Sequence, residues 1–169
     1  MSTTPSLHRD PAPPGDRADA GPDHRGTQSQ PGFVWQTSVF FDDLDAMGML
    51  HNAAYLVLVE RATSAFFETH GWHWEKDPAQ NPDQYYVVRE QSVRYLEPIV
   101  GPGDVEVELW VRRLGRTSAA FGFEVRSSGR VRAVAERVHV KLDPLSLKPA
   151  AWTATLRSHL ATLVQPATR

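Results

Sequence analysis

Residues 53–59 of this 169-residue sequence form an uninterrupted apolar run, Ala-Ala-Tyr-Leu-Val-Leu-Val. The run begins a helix predicted over about 52–69, with Gly71 as its expected C-terminal stop. The apolar residues of the run lie on every side of that helix. A helix at the surface of a domain would instead show a single apolar stripe, so this one should be buried all round. Because one sheet covers only part of a helix, we expect a sheet that curls around it and a second protomer whose sheet edge covers the rest.

Strand patterns occupy most of the remaining sequence. The first strand carries bulky or β-branched residues at every second position: Phe33, Trp35, Thr37, Val39 and Phe41. Four longer strands are predicted at 84–96, 104–114, 117–127 and 131–142, and a short closing helix at 152–164. The links between the last three strands have hairpin length, which predicts antiparallel neighbours. The predicted fold class is α+β, with a curved antiparallel sheet of about five strands wrapped around a long central helix.

Residues 1–32 differ from the rest of the sequence in composition. They hold six prolines and four glycines, with no large apolar residue after Leu7. Such a segment buries too little surface to offset its ordering entropy, so we predict a disordered tail and a single folded domain over 33–165. The tail lacks the apolar region of a secretory signal, and its aspartates argue against a transit peptide. We therefore expect a cytoplasmic protein.

Net charge and composition give no reason to expect some kinds of partner and exclude cysteine chemistry. The formal net charge is −2, which gives no reason to expect nucleic acid or an anionic membrane surface as a partner. No apolar run reaches the roughly 18 residues of a membrane span. The sequence contains no cysteine, so disulfides, thiolate metal ligands and a cysteine nucleophile are excluded.

Three carboxylates precede the apolar helix: Asp42, Asp43 and Asp45 stand before Gly48 and the helix start at Asn52. The first backbone N–H groups of a helix lack partners, and the helix dipole makes this end positive. A carboxylate beside such free donors can act as a base while the donors polarise a carbonyl group. Asp is also a common turn and capping residue, so we expect Asp42 and Asp43 to form turns, and a purely structural role stays open for Asp45.

Three landmarks follow one another along the sequence. The first combines a D-x-D-x-x-G motif with a helix start and a Glu-Arg pair: Asp43, Asp45, Gly48, Asn52, Tyr55, Glu60 and Arg61. The second is Tyr95-Leu96-Glu97-Pro98 with Gly103-Asp104, and the third is Gly115-Arg116-Thr117-Ser118. Over about 33–150 this pattern resembles the hot-dog fold and, more narrowly, the 4-hydroxybenzoyl-CoA thioesterase family. It is similar to the acyl-CoA thioesterases encoded with the Tol–Pal system.

The resemblance implies hydrolysis of an acyl thioester to free acid and thiol. The substrate would be acyl-CoA or an acyl-carrier-protein thioester, and the enzyme would need no cofactor and work as a homodimer or homotetramer. In that family the second Asp of the motif is the catalytic carboxylate, which falls on Asp45 as base or nucleophile. The backbone N–H at the helix start, which falls on Asn52, polarises the thioester carbonyl. A helix N-terminus suits this role because hydrolysis develops negative charge on that oxygen.

Other residues are candidates for supporting roles. His51 could point a neutral imidazole toward the site or simply pack, and Glu60 could orient water as a second carboxylate or pair with Arg61 or Arg89. Predicted substrate contacts are Gly48, Met49, Tyr55, Trp72, Trp74, Arg112, Arg113, Arg116, Thr117 and Ser118. The two tryptophans would line an acyl pocket or anchor their loop. The arginines would hold the phosphates of coenzyme A or form a solvated basic hairpin.

Two other functions stay open at this point. A hot-dog dehydratase needs a His paired with a carboxylate, and only His51 is well placed to provide it. A non-catalytic hot-dog module that binds acyl-CoA or an acyl carrier would not need the carboxylate of Asp45. His70 and His73 are close in sequence but lack a third ligand, so we predict no metal site.

Overall fold

The computed structural model describes residues 32–165, and these residues form one sheet and two helices. The strands are β1 (Phe33–Val39), β2 (Tyr86–Tyr95), β3 (Gly103–Leu114), β4 (Ser118–Ser127) and β5 (Arg130–Lys141). The helices are α1 (Asn52–Thr69) and α2 (Ala154–Thr162), and short 3-10 turns occupy Phe41–Asp43 and Pro82–Gln84. The tail predicted over residues 1–32 lies, except for Gly32, outside the described residues.

The five strands form one antiparallel sheet in the order β1-β3-β4-β5-β2. β1 pairs with β3, from Phe33 opposite Leu109 to Val39 opposite Gly103. The hairpins β3–β4 and β4–β5 are antiparallel, as their short links predicted. β2 pairs with β5 and forms one edge. The sheet curves around α1, so the predicted hot-dog arrangement is confirmed.

The concave face of the sheet and one face of α1 enclose the hydrophobic core. Alternate residues of the central strands point inward, and Leu109, Phe121 and Phe123 are fully buried. Phe66 of α1 and Leu156 of α2 belong to the same cluster. Burying a side chain of this size contributes roughly 1.5–3 kcal/mol to stability. The core therefore holds α1 against the sheet chiefly through the apolar face that the helix turns toward it.

Within the single chain α1 is buried on one side only, and its burial all round by a second protomer stays a prediction. Tyr55, Leu58 and Val59 are buried, but Ala53 is exposed and Val57 keeps 45 % of its surface open. A five-stranded sheet curves around only one side of a helix, so the opposite side stays open in one protomer. The apolar run therefore contains a core face and a second apolar face that the chain itself does not cover.

The first strand ends earlier than its alternating pattern suggests. β1 stops at Val39, and Phe41 lies in a 3-10 turn with 84 % of its surface exposed. The carboxylate of Asp43 accepts a hydrogen bond from the Phe40 N–H at 2.9 Å, and such local bonds compete with strand pairing. Asp43 thus forms a turn, as predicted, whereas Phe41 does not share the inner face of β1.

The end of α1 follows the prediction of a glycine stop. Gly71 has φ +79°, a left-handed conformation that favours glycine. Its N–H donates to the Glu68 carbonyl at 3.0 Å, and the Trp72 N–H donates to the Phe67 carbonyl at 3.0 Å. This bond pattern closes the last helical turn. Neither helix in residues 32–165 has the length and apolarity that a membrane crossing requires.

Candidate active site

The Asp45 carboxylate lies in a tight loop between β1 and α1. Its Oδ1 accepts hydrogen bonds from the N–H groups of Met47 at 2.8 Å and Met49 at 3.1 Å. The loop closes where the Asp45 N–H donates to the Met49 carbonyl at 2.7 Å, and Gly48 supplies the left-handed turn with φ +72°. Asp45 Oδ2 accepts no hydrogen bond from residues 32–165. One oxygen therefore positions the side chain, and the other is available for chemistry.

The start of α1 offers donors beside this loop. The Ala53 N–H donates to Asn52 Oδ1 at 2.9 Å and to His51 Nδ1 at 3.2 Å. His51 is therefore the residue that caps the helix, with an unprotonated Nδ1 that accepts. The Asn52 N–H, in contrast, meets no hydrogen-bond acceptor in the described part of the chain. It is the free donor that a helix N-terminus leaves open.

Asp45 and Asn52 line one open cleft of about 440 Å³. The other lining residues are Met49, Leu50, Tyr55, Tyr95, Leu96, Glu97 and Pro98. The structure thus brings together four residues predicted for the site: Asp45, Asn52, Met49 and Tyr55. Gly48, also predicted for the site, is not among the lining residues, and its carbonyl accepts a hydrogen bond from the Gly101 N–H at 2.9 Å.

Two tyrosines organise the cleft, and only one of them was among the predicted site residues. Tyr95 donates from its hydroxyl to the Asn52 carbonyl at 3.1 Å and packs edge-on against Tyr55 with ring centroids 5.1 Å apart. Tyr55 accepts a hydrogen bond from the Ile99 N–H at 3.3 Å, and burial raises the pKa of its hydroxyl. Tyr95 could have been found from the sequence, because the segment Tyr95–Pro98 is part of the second family landmark.

Glu60 lies outside the Asp45 cleft. Its carboxylate pairs with Arg137 of β5 rather than with Arg61 or Arg89, and Arg137 also donates from Nε to Gln91 Oε1 at 2.6 Å. The Arg137 side chain is only 6 % exposed, whereas that of Glu60 is 47 % exposed. Within one chain this ion pair connects α1 to the sheet. The role of Glu60 in orienting water stays a prediction.

The predicted phosphate-binding residues lie at the far end of β3. Arg112 is nine residues beyond Gly103, which corresponds to about 30 Å along a strand. Its guanidinium pairs with Glu136, while Arg113 and Arg116 are exposed. The Thr117 carbonyl accepts a hydrogen bond from the Lys141 N–H at 2.9 Å, and the Ser118 carbonyl accepts one from the Gly115 N–H at 2.8 Å. Both bonds stabilise the hairpin. This hairpin does not reach the Asp45 cleft of its own chain.

The two tryptophans line a second cavity of about 330 Å³, the aromatic cavity, beside the C-terminal half of α1. Its walls are Ser64, Phe67, Glu68, Trp72, His73, Trp74, Asn81, Asp83, Gln84, Tyr86 and Leu156. Trp72 is partly buried, and Trp74 is 79 % exposed at the rim. Residues 32–165 contain no cluster of three or more His, Asp or Glu side chains that could hold a metal ion.

The chain is similar in sequence and in fold to known thioesterases. Over 120 residues the chain is 28 % identical to the acyl-CoA thioester hydrolase YbgC of Escherichia coli O157:H7, covering 70 % of this chain and 88 % of that protein. A thioesterase from Thermus thermophilus, solved with coenzyme A and zinc, is 28 % identical with a TM-score of 0.64. That alignment covers 77 % of this chain and 92 % of the thioesterase.

A further structural relative shows the same fold at lower identity. The 1,4-dihydroxy-2-naphthoyl-CoA thioesterase from Synechocystis is 16 % identical with a TM-score of 0.68, covering 78 % of this chain and 96 % of that one. Residues 47–134, slightly more than half of the sequence, match the family model of the thioesterase superfamily. The matched range includes most of the cleft and all of α1. The chain therefore belongs to the thioesterase superfamily and is a thioester hydrolase.

Proposed function

We propose that the chain hydrolyses acyl-CoA thioesters in the Asp45 cleft. The observation that carries this proposal is the presence, in one cleft, of the available Asp45 Oδ2 and the unpartnered Asn52 N–H. The substrate class is supported by the E. coli relative, which is named an acyl-CoA thioester hydrolase, and by the T. thermophilus thioesterase solved with coenzyme A. An acyl-carrier-protein presents the same phosphopantetheine arm, so its thioesters belong to the same proposal.

In the proposed reaction the thioester carbonyl oxygen accepts a hydrogen bond from the Asn52 N–H. Water attacks the carbonyl carbon as Asp45 Oδ2 takes its proton, the C–S bond breaks, and Asp45 returns the proton to the departing thiolate. In the nucleophilic route Asp45 attacks the carbon itself, the thiolate leaves, and water hydrolyses the resulting anhydride. Both routes restore the carboxylate. The helix donor is worth about 2.7–4 kcal/mol of transition-state stabilisation.

We also propose that the working enzyme is a dimer joined through β2. This strand pairs on one side only, with β5, and most of its residues are exposed. Val87 and Val88 keep 46 % and 42 % of their surfaces open, and Val57 on the uncovered face of α1 keeps 45 %. An unpaired edge beside exposed apolar side chains favours pairing with a second chain. The same contact would cover the open face of the central helix.

Antiparallel pairing of two β2 strands would complete the site. β2 begins at Tyr86, in the aromatic cavity, and ends at Tyr95, in the Asp45 cleft. A two-fold axis across β2 would therefore set the aromatic cavity of one protomer beside the Asp45 cleft of its partner. In this arrangement Trp72 and Trp74 would contact the acyl group, which is one of the two roles predicted for them.

The basic hairpin lies at the same end of the molecule as the aromatic cavity. The Arg116 carbonyl accepts a hydrogen bond from the Trp152 N–H at 3.1 Å, and the rings of Trp152 and Tyr86 are 6.4 Å apart. In the proposed dimer this hairpin faces the partner's cleft, where Arg112, Arg113 and Arg116 would approach the phosphates of coenzyme A. Their planar guanidinium groups suit bidentate phosphate contacts.

The experiment that tests the function measures thiol release from a panel of thioesters. Short, long, branched and aromatic acyl-CoA substrates are compared with one acyl-carrier-protein thioester, and a thiol reagent follows the reaction. We expect release from at least one acyl-CoA class with kcat/KM of about 10⁴ M⁻¹s⁻¹ or more, in the usual range for enzymes. Binding of acyl-CoA without release of thiol from any member would show that the protein is a binding module instead.

A further inference from the structure

The loop that carries the site carboxylate is joined to the start of α1 by a series of contacts through two tyrosines. The Leu50 N–H, just after this loop, donates to the Ile99 carbonyl at 2.9 Å, and the Ile99 N–H donates to the Tyr55 hydroxyl at 3.3 Å. The Tyr55 ring packs edge-on against the Tyr95 ring, with centroids 5.1 Å apart. Tyr95 in turn donates from its hydroxyl to the Asn52 carbonyl at 3.1 Å. These contacts therefore connect the two halves of the proposed catalytic pair.

The two tyrosines differ in how firmly the fold holds them. Tyr55 is only 3 % exposed and belongs to the hydrophobic core, so its ring is a fixed support. Tyr95 is 49 % exposed at the end of β2, where its ring contacts Tyr55 and its hydroxyl reaches Asn52. Removal of the Tyr95 hydroxyl would therefore break the link to α1 and leave the ring contact with Tyr55 in place.

Tyr95 restrains the part of α1 that the helix itself holds least. The first turn of a helix is weakly held, because its N–H groups have no partner within the helix. His51 and Asn52 are exposed, and both side chains accept from the Ala53 N–H. These capping bonds stay within the turn. The Tyr95 bond, in contrast, ties the turn to the sheet across 43 positions of the sequence.

The position of this turn matters because it carries the Asn52 N–H. A backbone donor stabilises the transition state only if it lies about 2.7–3.1 Å from the place where the negatively charged oxygen develops. The substrate before reaction lacks that charge, so a displaced donor weakens the transition state more than it weakens substrate binding. A contact that fixes the turn should therefore affect kcat and leave KM nearly unchanged.

We infer that Tyr95 is a positioning residue for the hydrolysis. Its hydroxyl holds the first turn of α1 so that the Asn52 N–H and the Asp45 carboxylate address the same thioester carbonyl. Tyr95 acts through Asn52 and takes no part in the proton transfer. The inference rests on the acyl-CoA hydrolysis proposed above. It does not depend on the proposed dimer, because every contact that carries it lies within one chain.

Tyr95→Phe tests the inference, because it removes the hydroxyl and keeps the ring. We expect kcat on the best acyl-CoA substrate to fall about tenfold, KM to stay within about twofold, and the melting temperature to stay close to that of the wild type. Tyr85→Phe is the matched control, since it removes the hydroxyl of a tyrosine that lines neither cavity, and it should keep the wild-type kcat. A kcat of Tyr95→Phe within twofold of the wild type, or a loss of kcat/KM that comes from KM alone, would overturn the inference.

A transition-state analogue separates positioning from binding. In this acyl-CoA analogue a trifluoromethyl ketone replaces the thioester, so that attack on its carbonyl produces an oxygen like that of the transition state, whereas coenzyme A alone reports on binding before reaction. We expect inhibition by the analogue to weaken about tenfold in Tyr95→Phe, with less than a twofold change in the Kd of coenzyme A. Equal weakening of the two ligands would show a general role in binding and overturn the inference.

The wild-type enzyme distinguishes failure of this inference from failure of the proposed function. Thiol release from acyl-CoA by the wild type, together with a fully active Tyr95→Phe protein, would remove the inference alone. A wild-type protein that releases thiol from no thioester would remove the proposed hydrolysis and the inference with it.

Discussion

The two carboxylate oxygens of Asp45 have different surroundings. Oδ1 holds the loop through the N–H groups of Met47 and Met49, as a turn-forming aspartate does, while Oδ2 stays without a protein partner in residues 32–165. The two interpretations that the sequence leaves open for this residue are therefore compatible. An Asn at this position can keep the first contact and lose the second, which makes it a clean test of the chemistry.

His139 is the most unusual titratable residue of the core. It is fully buried, neither ring nitrogen has a hydrogen-bond partner in the described chain, and its ring stacks on Tyr86 with centroids 4.5 Å apart. Burial, together with the positive charge of the neighbouring Arg137, lowers the pKa of His139 to about 3. This apolar environment gives His139 a structural role in the core. The residue is neutral in the folded protein at all but strongly acidic pH.

The depressed pKa predicts an acid-sensitive contribution to stability. The unfolded chain binds a proton at His139 below about pH 6.5, while the folded chain does so only below about pH 3. The contribution is therefore present above pH 6.5 and is lost as the pH falls toward 3. Between pH 7 and pH 5 the free energy of unfolding should fall about 2 kcal/mol more in the wild type than in His139→Phe. Urea denaturation at both pH values measures this difference, and equal losses in the two proteins would contradict it.

Secondary structure was largely predictable because it depends on local patterns. The bounds of α1 follow from the apolar run after Asn52 and the glycine stop at Gly71, and the last three strands follow from period-two alternation and short links. The error at Phe41 arose because the alternating pattern continues in the sequence beyond Phe40, whose N–H donates to the Asp43 carboxylate where the backbone turns. The apolar run also predicted that one sheet covers only part of α1, and the exposed Ala53 and Val57 agree with that.

Contacts between distant residues were the part that the sequence could not predict. Glu60 meets Arg137, which is 77 positions away, only because the curved sheet brings β5 under α1. Tyr95 reaches the Asn52 carbonyl in the same way across 43 positions. The sequence located the loop of Asp45 and the helix start because they are adjacent in the chain. It did not show that the tryptophans and the basic hairpin lie at the opposite end of the molecule.

The dimer proposed above would bring together two cavities that lie at opposite ends of β2 in one chain. Val57→Glu places a charge on the open apolar face of α1, where the single chain leaves the side chain 45 % exposed. We expect the fold to persist, the dimer to dissociate and kcat/KM to fall about tenfold or more, because burying an unpaired carboxylate in the interface is costly. Light scattering and thiol release measure the two effects.

Val34→Glu is the matched control for this substitution. Val34 is 47 % exposed on β1, the opposite edge strand. The substitution therefore introduces the same charge at a similar exposure, away from β2. It should leave the mass and the activity near those of the wild type. A Val57→Glu protein that keeps the wild-type dimer mass, or a wild-type protein that is active as a monomer, would contradict assembly through β2.

The proposed role of Asp45 Oδ2 in the chemistry is measured by kcat/KM of Asp45→Asn on the best acyl-CoA substrate. Asparagine can still accept the Met47 and Met49 hydrogen bonds, so the melting temperature should stay close to that of the wild type. Asp43→Asn, at the turn-forming carboxylate, is the control and should stay active. We expect kcat/KM to fall about 100-fold or more in Asp45→Asn. A folded Asp45→Asn protein that keeps more than a tenth of the wild-type value would contradict the assignment.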